Sequence, residues 1–424
     1  MLEKNNKPTK NNNVFWIWMN SFFTDLWSEM IKPLLPIYLK VILQTPVWMI
    51  TLFNTVSEFL ANIFKIIFWI YSDKQKDKKK IMLIWYAVSN MLKPLMFLFQ
   101  TIFWVFFIEL LNRIWKWIRS APKEVLMTYS IEENKLWKGF WFQKAMDSFW
   151  AFVWTILISI ILFIFWLDYE TSILWFNINI FYIILFITLI PWIISYQIIV
   201  KKVRNVYMEE QSLSEFENKK KKKIFVDFSK LFQLGSKFNA LMIYTFLLSI
   251  WNIALVFFIL ELLDKQFLPY QITLFYSLYT LVDALFSYEI WKLSDKKWYT
   301  KYILATSIFF IFLSLLLTFV IWIDKTFIWI IVWILVFSLL GMYEAAFEWT
   351  FKKLIAENVE KESIWTAMWM YFWVAWITKI IASLIFAIAW TSWKSDAVFW
   401  FWFLFVFLSS IYLYYLYKTK SIKL

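Results

Sequence analysis

The hexapeptide WIYSDK at residues 69–74 recurs 222 residues later as WKLSDK at residues 291–296. A second motif, a pair of Trp residues four positions apart, occurs at positions 137 and 141 and returns 228 residues later. In each copy, both the hexapeptide and the Trp pair lie at the edge of a long apolar run. The chain therefore contains two copies of one large unit, joined near its middle.

Composition places these repeats in a membrane. The 424 residues are 62% hydrophobic and 17% charged, whereas soluble domains are about 45 to 50% apolar and about 25% charged. Twelve apolar runs are long enough to cross a hydrocarbon core about 30 Å thick, which takes about 20 helical residues. None of them alternates as the strands of a membrane barrel do. The runs begin near Val14, Val47, Ile81, Thr101, Phe140, Ser172, Phe238, Tyr270, Tyr299, Thr326, Ser363 and Ala397.

We therefore predict an all-α fold: a polytopic membrane protein with 12 transmembrane helices in two pseudo-symmetric six-helix halves. Lysine and arginine are concentrated in alternate turns and at both ends, which places both termini in the cytoplasm by the positive-inside rule. These basic turns also explain the net charge of +13 without nucleic acid as a partner. The predicted boundaries are a cytoplasmic tail at 1–13, an N-terminal half at 14–200, a cytoplasmic linker at 201–236, a C-terminal half at 237–417 and a cytoplasmic tail at 418–424.

The chain has no Cys and no His. This excludes disulfides, thiol nucleophiles and Ser-His catalysis, and we expect neither a metal site nor a cofactor. Proton chemistry must use carboxylates, Lys or Tyr. No loop carries the catalytic cluster that a lipid-linked transferase needs, so we predict that the protein is not an enzyme. A sensor with this fold would need an added soluble domain or a long tail, and we expect neither.

Glycine and tryptophan have abnormal counts, 3 and 31 residues. Together they make up about 8% of the chain, which is close to the share of about 7% that glycine alone usually has. The pattern predicts a genome that reads the UGA codon as glycine, so that many printed Trp are Gly in the protein. Several lie at the four-residue spacing at which small residues let membrane helices pack closely. The alternative is a protein rich in Trp at the bilayer interface.

Three charged residues lie on the first predicted helix. Asp25 and Glu29 are four residues apart and share a face, and Lys32 follows three residues later. Because an ionised side chain at the bilayer centre costs about 2.5 to 3.5 kcal/mol, each is expected to face a polar cavity. We interpret the stripe as a substrate or proton site. The alternative is an ion-pair network that joins the first helix to a neighbour.

Four further candidates lie on later helices. Glu109 and Arg113 are four residues apart on the fourth helix, which suits either proton coupling or a structural pair. Asp147 on the fifth helix can relay protons or pair with a nearby cation. Asp283 on the eighth helix is our candidate for the cavity in the second half.

The repeated hexapeptides resemble the hallmark of the major facilitator superfamily, Gly-x-x-x-Asp-Arg/Lys-x-Gly between helices two and three. Trp69 and Trp291 occupy the first glycine position and Trp298 the later one, whereas Lys76 departs from the pattern. Further stretches are similar to a bacterial branch of the superfamily, more closely so when Trp is read as Gly. These are SFFTDLWSEMIKPLLP at 21–36, RIWKWIRSAPKE at 113–124 and GFWFQKAMDSFW at 139–150.

The resemblance implies the major facilitator fold in the inner (plasma) membrane of a bacterium. It implies that two gating loops latch the inner gate through their carboxylates, which pair with basic residues or a helix N-terminus; the alternative is that their basic residues only orient the spans. The loop residues are Trp69, Asp73, Lys74, Trp291, Asp295 and Lys296.

Three positions bear on coupling and direction through the same resemblance. Arg113 with Trp117 matches the Arg-x-x-x-Gly motif of proton-coupled members. Lys32 departs from the aromatic residue usual in the branch. The antiporter run Gly-x-x-x-Gly-Pro is matched by Trp150 and Trp154 but not by Thr155, which favours export only weakly.

We therefore expect a secondary active transporter that moves a small solute by alternating access, with proton-coupled efflux of a drug or metabolite as the first choice. A proton-coupled nutrient symporter is the alternative, and a polytopic membrane enzyme ranks below both. The expected partners are a small-molecule substrate, protons and the lipid bilayer, and we expect a monomer.

Overall fold

The computed structural model describes most of the chain and is built almost entirely of helices. The described residues are 10–74, 78–92, 95–96, 101–130, 136–164, 170–173, 176–203, 235–251, 255–294, 308–309, 311–315, 318, 327–359 and 364–419.

Before the predicted linker, the described residues form six α-helices and one β-hairpin. The helices are α1 (Lys10–Ile37), α2 (Val47–Lys74), α3 (Lys78–Leu92), α4 (Ile102–Ser130), α5 (Leu136–Ile164) and α6 (Ile180–Lys201). The hairpin pairs β1 (Glu170–Ile173) antiparallel with β2 (Phe176–Asn179).

Helix α1 ends in two prolines and a π-helical turn. Pro33 and Pro36 lie inside the helix, where each removes a backbone donor and crowds the preceding turn. The last turns widen into a π-helix at Tyr38–Ile42, and the Leu43 amide donates to the Tyr38 carbonyl at 3.1 Å. Gln44 then adopts a positive φ of 49° and turns the chain toward α2.

The hairpin corrects one expectation. The sixth apolar run was expected to be helical from Ser172, but the helix begins only at Ile180. In β2, apolar Phe176 and Ile178 alternate with polar Asn177 and Asn179, and this pattern favours a strand over a helix. The register of the hairpin pairs Glu170 with Asn179.

After the linker, five α-helices are described. They are α7 (Gly235–Trp251), α8 (Leu255–Asp264), α9 (Pro269–Ser294), α10 (Phe327–Asn358) and α11 (Ile364–Lys418). Helix α9 has Pro269 at its first position, where the missing N–H costs nothing. The Gln271 side chain accepts a hydrogen bond from the Leu268 amide at 2.9 Å, which is half of a capping box.

Four helical stretches are long and apolar enough to span a membrane, and in one of them residues 252–254 lie outside the described part of the chain. The four stretches are Met146–Ile164, Gly235–Asp264, Met370–Trp393 and Ala397–Lys418. The last two are the runs predicted from Ser363 and Ala397, and both lie within the uninterrupted helix α11. The count of twelve spans stays a prediction.

Contacts divide the chain into two compact units. The first comprises Met1–Ile31, Ser57–Trp154 and Ile161–Lys223; the second comprises Lys32–Val56, Thr155–Ile160 and Ile224–Leu424. The predicted division into halves at 201–236 stays a prediction, because residues 204–234 lie outside the described part.

Each unit has its own core. In the first, α1, α3, α4 and α6 contribute buried side chains that pack together, among them Ile17, Tyr86, Leu126 and Ile199. In the second, the Phe258 ring of α8 lies between aromatic rings of α10 and α11. Its centroid distances are 6.5 Å to Trp333, 6.4 Å to Phe337, 5.9 Å to Phe399 and 5.6 Å to Trp402.

Helices α9 and α10 cross so closely that one position requires glycine. A Cβ atom on Gly341 of α10 would lie 2.5 Å from the Tyr279 carbonyl oxygen and 3.1 Å from the Asp283 amide nitrogen, both in α9. These are backbone atoms, which cannot move aside as the end of a side chain can.

We predict that Gly341→Ala lowers the free energy of unfolding by about 1–3 kcal/mol, the usual cost of overpacking. Thermal unfolding of the purified protein in detergent measures the effect. Ser338→Ala, a small change less than one turn earlier on the same helix, is the control. An unchanged midpoint for Gly341→Ala would show that the crossing is wider than described.

Candidate functional site

A group of charged side chains lies on α1, α2 and α4 of the first unit, and we call it the charge cluster. Its members are Asp25, Glu29, Glu58, Glu109, Arg113 and Lys116. Among these six residues, four carboxylates face two cations.

Asp25 and Glu29 share one cation from another helix. The Lys116 Nζ of α4 lies 3.6 Å from Asp25 Oδ1 and 3.8 Å from Glu29 Oε1. The same nitrogen donates to the Ser28 hydroxyl at 3.4 Å. Glu29 is buried, with 6% of its surface exposed, and Asp25 is half-buried. The one-turn spacing predicted for the two acids thus directs both toward a single ammonium group.

Lys116 was not among the predicted site residues, although it lies in the quoted run 113–124. The predicted cation of the stripe, Lys32, has an exposed side chain and belongs to the second unit. Spacing along α1 identifies residues on one face but not the residue that a neighbouring helix presents to that face. The sequence assigned Lys116 to a basic cytoplasmic turn from Lys116 to Lys138, whereas α4 continues to Ser130.

The predicted pair on α4 forms. Arg113 Nε donates to Glu109 Oε1 at 2.7 Å, and Arg113 Nη1 lies 3.3 Å from Glu58 Oε1 of α2. Glu109 is buried, whereas Glu58 is exposed. Arg113 therefore links α4 to α2, and Glu58 is a second residue that the sequence did not single out.

The polar contacts continue along α1 toward its N-terminus. Lys123 of α4, itself buried, donates from Nζ to the Ser21 hydroxyl at 2.5 Å. The Ser195 hydroxyl of α6 donates to Asn20 Oδ1 at 2.7 Å. Because these groups are buried, each hydrogen bond offsets a desolvation cost, and together they join α1 to α4 and α6.

Two other predicted acids lie on separate helices. Asp147 is half-buried on α5 in the first unit. Asp283 is buried on α9 in the second unit, with 6% exposure, and accepts a hydrogen bond from the Ser287 hydroxyl of its own helix at 3.3 Å.

The structure describes only part of the two predicted gating loops. Trp69, Asp73 and Lys74 lie at the C-terminal end of α2 and Trp291 lies in α9, but only their backbone is described. Asp295 and Lys296 lie outside the described residues. The predicted inner latch therefore stays a prediction.

A buried acid in the second unit was also missed. Glu261 of α8 is fully buried, and its Oε1 lies 3.9 Å from Lys265 Nζ. That nitrogen also lies 4.9 Å from the centre of the Trp329 ring. A lone acid in the apolar stretch LVFFILELLD was the signal in the sequence. Within the described part of the chain, no group of three or more acids is placed to hold a metal ion.

Comparisons with known proteins agree with this architecture. No protein-family model matches the chain. It is 26% identical over 408 residues to a protein of Methanocaldococcus jannaschii described as an uncharacterized MFS-type transporter, and the match covers 92% of each chain. Among solved structures, a POT family transporter in complex with a thioalcohol conjugated peptide superposes with a TM-score of 0.74 at 11% identity. That match covers 97% of this chain and 96% of the other.

The chain has the major facilitator fold. A D-xylose-proton symporter superposes with a TM-score of 0.66 at 11% identity and covers 96% of both chains. The predicted helical membrane fold is thereby confirmed, and with it the assignment as a multi-pass membrane protein. The similar proteins are transporters, which is consistent with a chain that is not an enzyme.

The shared ammonium group predicts a stability effect. In Lys116→Met, Asp25 and Glu29 lose an opposite charge that lies 3.6 and 3.8 Å away, and we expect a loss of about 1 kcal/mol, the upper end for ion pairs that are partly exposed. Thermal unfolding of the purified protein in detergent measures this, with exposed Lys237→Met as the control. A midpoint equal to that of the wild type would contradict the pairing.

Proposed function

We propose that the chain is a secondary active transporter that moves a small solute by alternating access and couples this movement to protons. The fold and the relative described as an MFS-type transporter support transport. The D-xylose-proton symporter indicates that this fold accommodates proton coupling. The observation that carries coupling to this chain is the Lys116 ammonium group shared by Asp25 and Glu29.

Two acids that share one cation can couple proton binding to a change in the contact between two helices. Without His or Cys, proton exchange in this chain must use carboxylates, Lys or Tyr, and carboxylates commonly form the proton relays of membrane proteins. A proton on Asp25 or Glu29 removes one charge and weakens the attraction that ties α1 to Lys116 of α4. Protonation and the contact between two helices are thereby linked, and a transporter requires such a link if a proton is to drive a conformational change.

A buried carboxylate is suited to a positively charged ligand. Glu29 is buried and Asp25 is half-buried, and a proton or a cation on either one lowers the electrostatic cost of burying its charge. We place efflux of a hydrophobic or cationic compound in exchange for protons first. Proton-coupled uptake of a nutrient is the alternative, which the D-xylose-proton symporter favours as a structural neighbour.

We further propose that the protein is a monomer in the inner membrane of a bacterium with both termini in the cytoplasm. The distribution of basic residues supports this orientation.

We also propose that many printed Trp residues are glycine in the native protein. The indole nitrogens of Trp150, Trp192 and Trp333 are buried and have no hydrogen-bond acceptor among the described residues. Each such group costs about 1–3 kcal/mol, and glycine would remove that cost. Trp154 is a counter-example, because its Nε1 donates to the Phe22 carbonyl at 3.1 Å. Each Trp position therefore has to be assigned separately as Trp or Gly.

The recoding proposal predicts peptide masses. In protein isolated from the native host, peptides covering residues 113–154 should carry Gly at Trp115, Trp117, Trp141 and Trp150. Tandem mass spectrometry reads each position directly, and Gly139 serves as an internal control. Tryptophan at all four positions would refute the proposal. The gene used to express the protein should encode the residues that the mass spectra show.

Neutralising the shared acids predicts loss of coupling. In everted vesicles, Asp25→Asn and Glu29→Gln should abolish proton-driven accumulation of ethidium, a lipophilic cation, while the amount of folded protein stays the same. Glu289→Gln, which removes an exposed carboxylate of α9, is the matched control. Wild-type rates in both cluster variants would refute the assignment.

A further inference from the structure

Two hydroxyl pairs in the second unit join helices that precede the linker to helices that follow it. Thr55 of α2 and Ser383 of α11 lie 2.6 Å apart, from Oγ1 to Oγ. Ser159 of α5 donates to Thr273 Oγ1 of α9 at 2.8 Å. All four residues are buried, none with more than 5% of its surface exposed.

The direction of each hydrogen bond follows from proton counting. The Thr273 hydroxyl donates to carbonyls of its own helix, 3.0 Å from Tyr270 and 3.1 Å from Pro269, so its oxygen accepts from Ser159. The Thr55 hydroxyl lies 2.9 Å from the Thr51 carbonyl. When Thr55 donates there, Ser383 is the donor between the helices.

The Ser159–Thr273 bond can break without stranding its buried donor. The Ser159 hydroxyl also lies 2.8 Å from the Thr155 carbonyl of its own helix. If the helices separate, Ser159 keeps this backbone acceptor, as Ser and Thr commonly do inside helices. Thr55 keeps the Thr51 carbonyl in the same way.

Three of the four residues lie near one end of their helices, and Ser383 lies about five turns after the start of α11 at Ile364. Thr55 is about two turns after the start of α2 at Val47, and Ser159 is between one and two turns before the end of α5 at Ile164. Thr273 is about one turn after the start of α9. With both termini in the cytoplasm, these helix ends lie on the outer side of the membrane.

The grouping of contacts gives an independent observation. The segments Lys32–Val56 and Thr155–Ile160, which precede the linker, belong to the same compact unit as Ile224–Leu424. They are the segments that carry Thr55 and Ser159. A third tie, Lys40 Nζ to Asp264 Oδ1 at 3.9 Å, is partly exposed, and exposed pairs contribute little. The hydroxyl pairs are therefore the ties to test.

We propose that Thr55–Ser383 and Ser159–Thr273 form an outer latch that is closed in this structure and must open for solute to exchange with the outer side. The proposal rests on the proposed transport function. It assigns gating to four hydroxyl residues that carry no charge and take no part in the charge cluster.

The absence of Cys in the chain makes crosslinking a direct test. Thr55→Cys with Ser383→Cys, and Ser159→Cys with Thr273→Cys, place the sole thiols of the protein at the two contacts. A protease site inserted in the linker lets a gel distinguish joined from separated fragments. Thr51→Cys with Ser410→Cys is the matched control, because these buried hydroxyls donate within their own helices.

We expect an oxidant to join the fragments for both latch pairs in membranes but not for the control pair. Oxidation should abolish ethidium transport by the latch variants, and a reductant should restore it. Failure of both pairs to crosslink would overturn the latch because the contacts would not exist. Crosslinking that leaves transport intact would overturn gating while leaving the proposed transport function standing. If wild-type protein moves no ethidium or any other solute tried, the transport function fails, and the latch with it.

A second experiment avoids disulfides. With Ser159→Cys as the only thiol, Thr55→Val should increase the rate of labelling by a membrane-impermeant maleimide, because releasing one pair loosens the other. Thr51→Val is the isosteric control and should leave the rate unchanged. Equal rates in the two valine variants would overturn the coupling of the two pairs.

Discussion

An ionised side chain inside an apolar helical bundle must meet a counter-charge or exchange a proton, and the first unit is arranged around that requirement. Lys116 of α4 forms ion pairs with Asp25 and Glu29 of α1. Arg113 forms ion pairs with Glu109 and Glu58. These ion pairs tie α4 to α1 and to α2. The charged residues thus help to set which helices are neighbours.

A second constraint is how closely helices approach one another. Gly341 marks a crossing at which even a methyl group would meet backbone atoms of α9. Hydroxyl pairs such as Ser159 with Thr273 hold other helices together through small side chains. Among the described residues, the buried indole nitrogen of Trp333 has no acceptor, and the cost of such groups is the physical reason to propose glycine at many Trp positions.

Features local to one helix were predictable from the sequence. The pairs Asp25 with Glu29 and Glu109 with Arg113 follow from a four-residue spacing, and the fold class follows from apolar run length. Features that depend on a neighbouring helix were not. Lys116 and the hydroxyl pairs belong to this group, because periodicity identifies a helix face but not its partner. The hairpin before α6 was missed because its residues favour strands within an otherwise apolar run.

If the Asp25 and Glu29 site exchanges protons for a bound cation, proton release must accompany ethidium binding. A pH indicator detects this release during ethidium titration of the purified protein in weakly buffered detergent solution. We expect wild-type protein to release protons as ethidium binds and the Asp25→Asn, Glu29→Gln double variant to release none. Ethidium binding without proton release, or equal release from both proteins, would rule out the exchange.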